Sequence, residues 1–406
     1  MQTVVLAAGQ GTRMRPLTDR RPKPTLPVAG RPLVEHAMDA AVDAGATSFV
    51  VVVGYEADAV RDRFGDAHRG VDVEYVVQER QRGTADAVRR AVPALADAPF
   101  AVLNGDGLYD APSLRELFAG GPAVGSYRVD DPRAYGVLET EGDRVVGVVE
   151  KPDDPPSDLI NAGVYVFPAA AADWTDVPAT ERGEFELTDV LERACRERTV
   201  RAVPFERWLD VGRPWELLAA NEWKVPEAVA EAVADADADE VRIDGTVREG
   251  ATLRGPVFVA EGATVREGVT IEGPAYLDAG ATVGPNAYVR GVTYLGEGAS
   301  VGHAVEVKNS VLCAGATVGH QSYVGDSVLG RDVNFGAGTN VANLRHDGEP
   351  VRFRVKGEST STGRRKFGVV CGDDARTGID TSLNAGVSLA TGARTRPGET
   401  VLRDVE

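Results

Sequence analysis

The sequence predicts an α/β fold: a Rossmann-like domain followed by a left-handed parallel β-helix of hexapeptide repeats. Three observations carry this expectation. Residues 1–224 alternate short apolar runs with helical patterns. Residues 225–240, VPEAVAEAVADADADE, contain Ala and acids but no aromatic, and read as a linker helix. From Val241 onward apolar residues recur at every sixth position, which assigns residues 241–406 to the β-helix.

In the first domain, Val4-Val5-Leu6, the run from Ser48 to Val53 and the run from Phe100 to Leu103 read as buried strands. Continuous apolar runs of that length suit a sheet covered on both faces. Leu33 to Ala44 and Thr84 to Ala96 read as the helices between them, and this alternation implies a mostly parallel sheet. Later strands are expected over Val145 to Glu150, Gly163 to Phe167 and Arg201 to Pro204.

In the second domain the six-residue period runs through Val241, Val247, Leu253, Val259, Val265, Ile271, Leu277, Val283, Val289, Leu295, Val301 and Val307 without a slip. Each hexad supplies one side of a triangular coil, and three hexads close a turn. Shortened steps follow at Leu312, Val318, Val324, Leu329, Phe335 and Val341. The pattern breaks over residues 343–369 and resumes at Cys371, Thr377, Leu383, Leu389, Thr395 and Val401.

A net charge of −18 disfavours nucleic acid and anionic membranes, both of which need a basic face. No apolar run is long enough to span a bilayer and no secretory signal is visible, so a cytoplasmic protein is expected. The acidic surface with few lysines suggests a salt-rich cytoplasm, with genome composition alone as the alternative. Lys occurs only at 23, 151, 224, 308, 356 and 366, which makes each one a functional candidate. Cys195, Cys313 and Cys371 are too scattered for a disulfide framework or a zinc cluster.

The first strand runs into Leu6-Ala7-Ala8-Gly9-Gln10-Gly11-Thr12-Arg13-Met14. A glycine-rich turn after a strand lets backbone N–H groups approach phosphates. Taken alone such a turn is weak evidence, but Pro22-Lys23-Pro24-Thr25-Leu26-Pro27-Val28 follows it. The combination resembles the sugar-1-phosphate nucleotidylyltransferase family over roughly residues 1–224. The resemblance implies that Arg13 and Lys23 hold a triphosphate, with Leu6, Ala8, Gly9, Gly11 and Thr12 in the nucleotide-binding turn. It implies that the segment Gln78 to Ala87 binds the base, through Gln78, Gly83 and Thr84; the plain alternative is a helix start with Thr84 as N-cap. Asp106, just past a strand's carboxyl end, matches the family's Mg²⁺ ligand, with Asp210 as its partner. Gly136, Glu150, Lys151 and Asn161 resemble the sugar-phosphate pocket.

In a coil of three hexads, residues 18 apart stack, so Arg290 and Lys308 are expected to project side by side, about 4.8 Å apart. Stacked cations repel, which suggests a phosphate between them; two solvated side chains are the alternative. The segments Gly319 to Asp326, Asn334 to Thr339 and Ala342-Asn343-Leu344 resemble the acetyltransferase half of bifunctional amino-sugar-1-phosphate acetyltransferase/uridylyltransferases, especially archaeal-type ones. That resemblance makes His320 the general base toward acetyl-CoA. It assigns Arg290, Lys308 and Tyr323 to the sugar phosphate, Asn334 and Asn343 to the sugar or acetyl group, and Ala337 to the thioester. His303 occupies the equivalent hexad position one coil earlier, so position alone does not choose between the two histidines. This chain departs from the bacterial pattern, which has Tyr after the equivalent of Asn343, where Leu344 stands here. Its longer insertion is expected to reach over a neighbouring subunit and to supply Lys366 to the phosphate or CoA.

The expected function is therefore nucleotidyl transfer from UTP or dTTP to a sugar 1-phosphate, plus acetylation of glucosamine or galactosamine 1-phosphate, in a homotrimer with acetylation sites at subunit contacts. Two alternatives stay open: a thymidylyl-, uridylyl- or guanylyltransferase with a structural β-helix, and a non-catalytic sugar-nucleotide-binding scaffold.

Overall fold

The structure is a computed structural model that describes residues 1–54, 57–180, 183–234 and 240–406; the expected linker positions 235–239 lie outside these. The chain divides into two units. The first comprises Met1–Gln10, Pro22–Thr25 and Pro32–Val211; the second comprises Gly11–Arg21, Leu26–Arg31 and Gly212–Glu406.

At the centre of the first unit lie four parallel strands, in the order Val71–Val77, Ser48–Val53, Gln2–Ala7, Phe100–Asn104. Val4, Val5, Val50, Val51, Val52 and Leu103 are buried, as expected for strands covered on both faces. The rest of the ten-stranded sheet departs from the mostly parallel expectation. Leu159–Phe167 runs antiparallel to both Phe100–Asn104 and Ala123–Arg128, and Gly136–Glu141 and Arg144–Glu150 form a hairpin. Parallel neighbours need a crossover helix, whereas a two-residue turn at Gly142 suffices for the hairpin. The helix Leu33–Ala44 has the expected bounds and ends at Gly45 in a left-handed conformation. The helix expected over Thr84 to Ala96 stops at Ala91; Pro93 turns Val92–Ala94 into a short 3₁₀ segment.

The expected boundary after residue 224 falls inside one helix, Pro214–Ala234, which belongs to the second unit. The six-residue period folds as three parallel sheets of eight, six and eight strands. Stacked partners such as Val265 and Val283, or Ile271 and Val289, are 18 residues apart, and the repeat apolar positions from Val259 to Val401 fill one core. The shortened steps are real: Val307 stacks on Val324 and Val318 on Phe335. At the break the pairing passes from Val328 to Val370, and the intervening insertion forms a hairpin of Arg352–Val355 and Glu358–Ser361. Trp215 meets Phe353 and Phe367 edge-on at 6.0 and 6.4 Å between ring centres. Within its own chain the insertion packs Phe353 and Phe367 against Trp215, since burying two Phe rings outweighs extending them into water. Among the described residues no helix is long and apolar enough to cross a membrane.

Candidate active sites

In the first unit, Lys23 sits on a one-turn 3₁₀ segment between two prolines and is 6% exposed. Its Nζ donates to the Asp106 carboxylate. Asp106 immediately precedes the strand Gly107–Tyr109, which pairs antiparallel with Trp208–Asp210, so that Asp210 stands opposite Gly107. The Val211 N–H donates to the Asp106 backbone carbonyl at 3.0 Å. Burial pushes the Tyr109 phenol well above its usual range, and the charges of Asp106 and Asp210 both push it further. Two carboxylates and one ammonium therefore meet at the end of this strand pair.

These two carboxylates fit Mg²⁺, which takes few protein ligands and shares the rest with phosphate and water. Among the described residues no group of three or more His, Cys, Asp or Glu side chains makes a metal cage by itself. In the glycine-rich turn, Gly11 adopts φ +65, and a Cβ at Gly9 would meet no atom within 4 Å. The open space over Gly9 suits a ligand rather than packing. The Leu6 carbonyl accepts from Gly105 N–H at 2.9 Å, and the Ala8 carbonyl accepts from Gln81 Nε2 at 3.0 Å. Arg13 and Thr12 fall in the segment Gly11–Arg21 that groups with the second unit; Arg13 is exposed.

Gln78, expected to read the base, has its amide donors engaged within the loop. Gln78 is 3% exposed, and its amide N–H groups donate to the Gly83 carbonyl (3.1 Å) and the Asp86 carboxylate (2.9 Å). Its donors hold the loop. Gly83 has φ +106, and a Cβ there would lie 2.4 Å from the Phe185 carbonyl, so the glycine is required by the backbone of a neighbouring segment. Thr84 is not the N-cap of its own helix, where Gly83 stands; its hydroxyl accepts from Leu187 N–H at 2.9 Å, at the start of helix Leu187–Glu197. Sequence reasoning missed Gln81, which lies at the turn instead and accepts from Gln10 Nε2 at 3.1 Å. Nothing local in the sequence distinguishes Gln81 from Gln78.

Gly136, Glu150 and Asn161 are brought together: a Cβ at Gly136 would sit 3.1 Å from Glu150 Oε2 and 3.7 Å from Asn161 Nδ2. Lys151 Nζ is 2.8 Å from Glu150 and 4.0 Å from Glu186. Burial, then the charge of Glu150, raises the Glu186 carboxyl above its usual range. The buried Thr188 hydroxyl has no hydrogen-bond partner, and its methyl borders the same space. Glu186 and Thr188 were also missed, because they lie far along the chain on the N-terminus of another helix.

In the second unit, Arg290 and Lys308 stack in register as expected. The anion between them, however, is supplied by the chain. Arg290 Nε donates to Glu306 at 2.8 Å, and Lys308 Nζ donates to both oxygens of Asp326 at 2.7 and 2.6 Å. These two carboxylates neutralise the stacked cations, which therefore do not demand a bound phosphate. Asn343 Nδ2 donates to the Tyr323 hydroxyl at 3.1 Å and to Asp326. Burial raises the Tyr323 phenol, and Asp326 and Glu306 raise it further.

His320 is exposed, and its Nδ1 accepts from His303 N–H at 3.1 Å. A neutral ring in this state carries its proton on Nε2. Asn334 and Ala337 lie on the adjoining sides of the coil; Asn334 N–H donates to Ala375 O at 2.9 Å, and Ala337 O accepts from Asp380 N–H at 2.8 Å. Lys366 is exposed and forms an antiparallel bridge to Leu344, one residue after Asn343. Among the described residues no side-chain hydrogen bond or ion pair joins His320, Asn334 or Lys366 to the Lys308–Asp326–Asn343–Tyr323 group.

Comparison with known proteins accounts for both units. The nucleotidyl transferase family matches residues 2–225, and the GMPPB C-terminal domain family matches residues 271–393. The bifunctional protein GlmU of Methanococcus vannielii is 36% identical over 415 residues, covering 100% of this chain and 96% of that protein. The bifunctional sugar-1-phosphate nucleotidylyltransferase/acetyltransferase of Sulfurisphaera tokodaii is 34% identical over 416 residues, covering 100% and 98%. Among solved structures, a Bacillus anthracis protein assigned as a glucose-1-phosphate thymidylyltransferase, in complex with a sucrose, superposes with a TM-score of 0.51 at 26% identity, over 54% of this chain and 94% of that one. Matched along nearly the whole length of such relatives, the chain belongs to the family of bifunctional sugar-1-phosphate nucleotidylyltransferase/acetyltransferases.

Proposed function

We propose that residues 1–224 transfer a nucleotidyl group from UTP, or from dTTP, to N-acetylglucosamine 1-phosphate or glucose 1-phosphate, and that residues 241–406 acetylate glucosamine or galactosamine 1-phosphate. The observation that carries the first half is the direct pairing of buried Lys23 with Asp106 beside Asp210. In this reading the sugar-phosphate oxygen attacks the α-phosphorus in line, the bond to the β-phosphate bridge breaks, and pyrophosphate leaves. Such transfer needs positioning and charge stabilisation more than covalent help. Arg13 and Lys23 offset charge on the triphosphate, and the Gly9–Gly11 turn offers backbone N–H groups. Glu150 and Asn161 orient sugar hydroxyls, and Lys151 binds the sugar phosphate. Asp106 and Asp210 would hold Mg²⁺, which when bound would neutralise further phosphate charge.

In the second half, the amine nitrogen attacks the acetyl thioester, the C–S bond breaks and CoA leaves as the thiol. His320 takes the amine proton, for which the amine competes with His303 N–H for the Nδ1 lone pair. Lys308, Arg290, Tyr323 and Asn343 bind the sugar phosphate, and Lys366 adds a cation from the insertion. Asn334 and the Ala337 backbone face the acetyl group. In this reading the protein is a homotrimer with each acetylation site at a subunit contact. An acidic, lysine-poor surface supports a cytoplasm of high salt. The net charge of −18 supports small-molecule substrates over nucleic acid or an anionic membrane.

The test is paired. Protein incubated with UTP and sugar 1-phosphates is assayed for pyrophosphate, and protein with acetyl-CoA and amino-sugar 1-phosphates is assayed for free thiol. Absence of thiol from every acceptor would leave the β-helix structural; absence of pyrophosphate would remove nucleotidyl transfer.

A further inference from the structure

Resting on the acetyltransferase reading, we infer that Asp326 is a positioning residue for that reaction, setting the aim of Lys308 and the face that Asn343 presents. Asp326 is 2% exposed and stands in a left-handed conformation (φ +52), one residue past the strand Tyr323–Gly325. Its carboxylate accepts four times. One oxygen takes Lys308 Nζ (2.7 Å) and Asn309 Nδ2 (2.9 Å); the other takes Lys308 Nζ (2.6 Å) and Asn343 Nδ2. A carboxylate has about four acceptor sites, so this one is saturated within its own chain.

Two consequences follow from counting donors. An ammonium has three N–H groups. Lys308 Nζ lies against both oxygens of Asp326, which holds the ammonium on that side and leaves a remaining N–H donor directed away from the carboxylate. The side chain of Lys308 is 15% exposed, so this remaining donor is its contact with any entering phosphate. Asn343 has two amide N–H donors, and both are committed, one to Asp326 and one to the Tyr323 hydroxyl. Its carbonyl oxygen is the polar atom left as an acceptor, complementary to an amine N–H. A buried carboxylate thus presents one donor for the phosphate and one acceptor for the nitrogen of an amino-sugar phosphate. Asn309 extends the arrangement. Its amide also donates to Glu222 at 2.7 Å, and Glu222 in turn accepts from Arg364 at 3.0 Å, so Asp326 is braced by the helix Pro214–Ala234 and the insertion.

The test compares Asp326→Asn, Lys308→Gln and the double variant in the full chain. In D326N the new amide oxygen can still accept from Asn343 and Lys308, while the new N–H groups oppose Lys308 and Asn309, so the variant loosens the lysine and its brace and spares Asn343. Steady-state thiol release is measured against glucosamine 1-phosphate and against acetyl-CoA, and thermal unfolding followed by far-ultraviolet circular dichroism serves as the folding control. D326N is expected to raise KM for the sugar phosphate about ten-fold while KM for acetyl-CoA moves less than about two-fold. The double variant is expected to match K308Q within about two-fold, because partners in one network are non-additive. The double variant leaves no orphaned charge, so it carries the test even if D326N fails to fold. An unchanged sugar-phosphate KM in an active D326N enzyme, or a double variant about ten-fold worse than K308Q, overturns the inference. Wild-type protein that releases no thiol would instead overturn the acetyltransferase reading itself.

Discussion

Asp373→Ala is expected to be among the most destabilising single changes in the second unit. Asp373 is 4% exposed and joins two arginines. Arg21 Nη2 donates to one oxygen at 2.8 Å; Arg331 donates from its backbone N–H at 2.8 Å, from Nε at 2.9 Å and from Nη2 at 2.7 Å. Arg331 is 41% exposed at its side chain and would turn to water, but Arg21 is 10% exposed and its Nε already has no partner. Removing the carboxylate therefore leaves a buried, uncompensated guanidinium, which costs about 3–5 kcal/mol. For a domain of this size that lowers the thermal midpoint by about 10 °C. The assay is thermal unfolding followed by far-ultraviolet circular dichroism. The sign of the pH dependence follows as well. Burial alone would raise the Asp373 carboxyl, but Arg21 and the donors of Arg331 outweigh it and hold the group below its usual value. A lowered pKa contributes stability that is complete above the ordinary carboxylate range and is lost as pH falls through the lowered value. D373N should accordingly show a smaller loss of midpoint between neutral and acid pH than wild type. The double change R21M/D373L should recover much of the loss, because an apolar pair leaves no orphaned charge. A D373A midpoint within about 2 °C of wild type would refute the reasoning, since it would mean that Arg21 is not held in place by this pair.

The remaining predictions address the proposed sites. Lys23→Ala and Asp106→Asn should each lower pyrophosphate release about 10²- to 10³-fold while thiol release persists; equal damage to both activities contradicts separate sites. His320→Ala should lower thiol release about 10²- to 10⁴-fold with pyrophosphate release intact. Gly83→Ala should destabilise the first unit by about 1–3 kcal/mol, read by denaturant titration, because it combines a left-handed conformation with a clash against the Phe185 carbonyl.

The sequence by itself determined the solenoid. A six-residue period is a purely local property, and the apolar repeat positions from Val259 onward are buried against the coils before and after them. The parallel heart of the first sheet was equally legible, because Val50 to Val53 and Phe100 to Leu103 are apolar on both faces. Lys23, Asp106 and Asp210 were also readable, since rigid prolines and strand ends mark them. Tertiary structure alone decided which polar side chains are already partnered. Gln78 turned inward to Gly83 and Asp86, Thr84 capped a helix about a hundred residues away, and Glu306 and Asp326 neutralised the stacked cations. Hydrophobic burial repeats with the local period of the chain, so pattern reveals it. A buried hydrogen bond depends on the position of one atom in a segment distant in sequence, and spacing carries no trace of it.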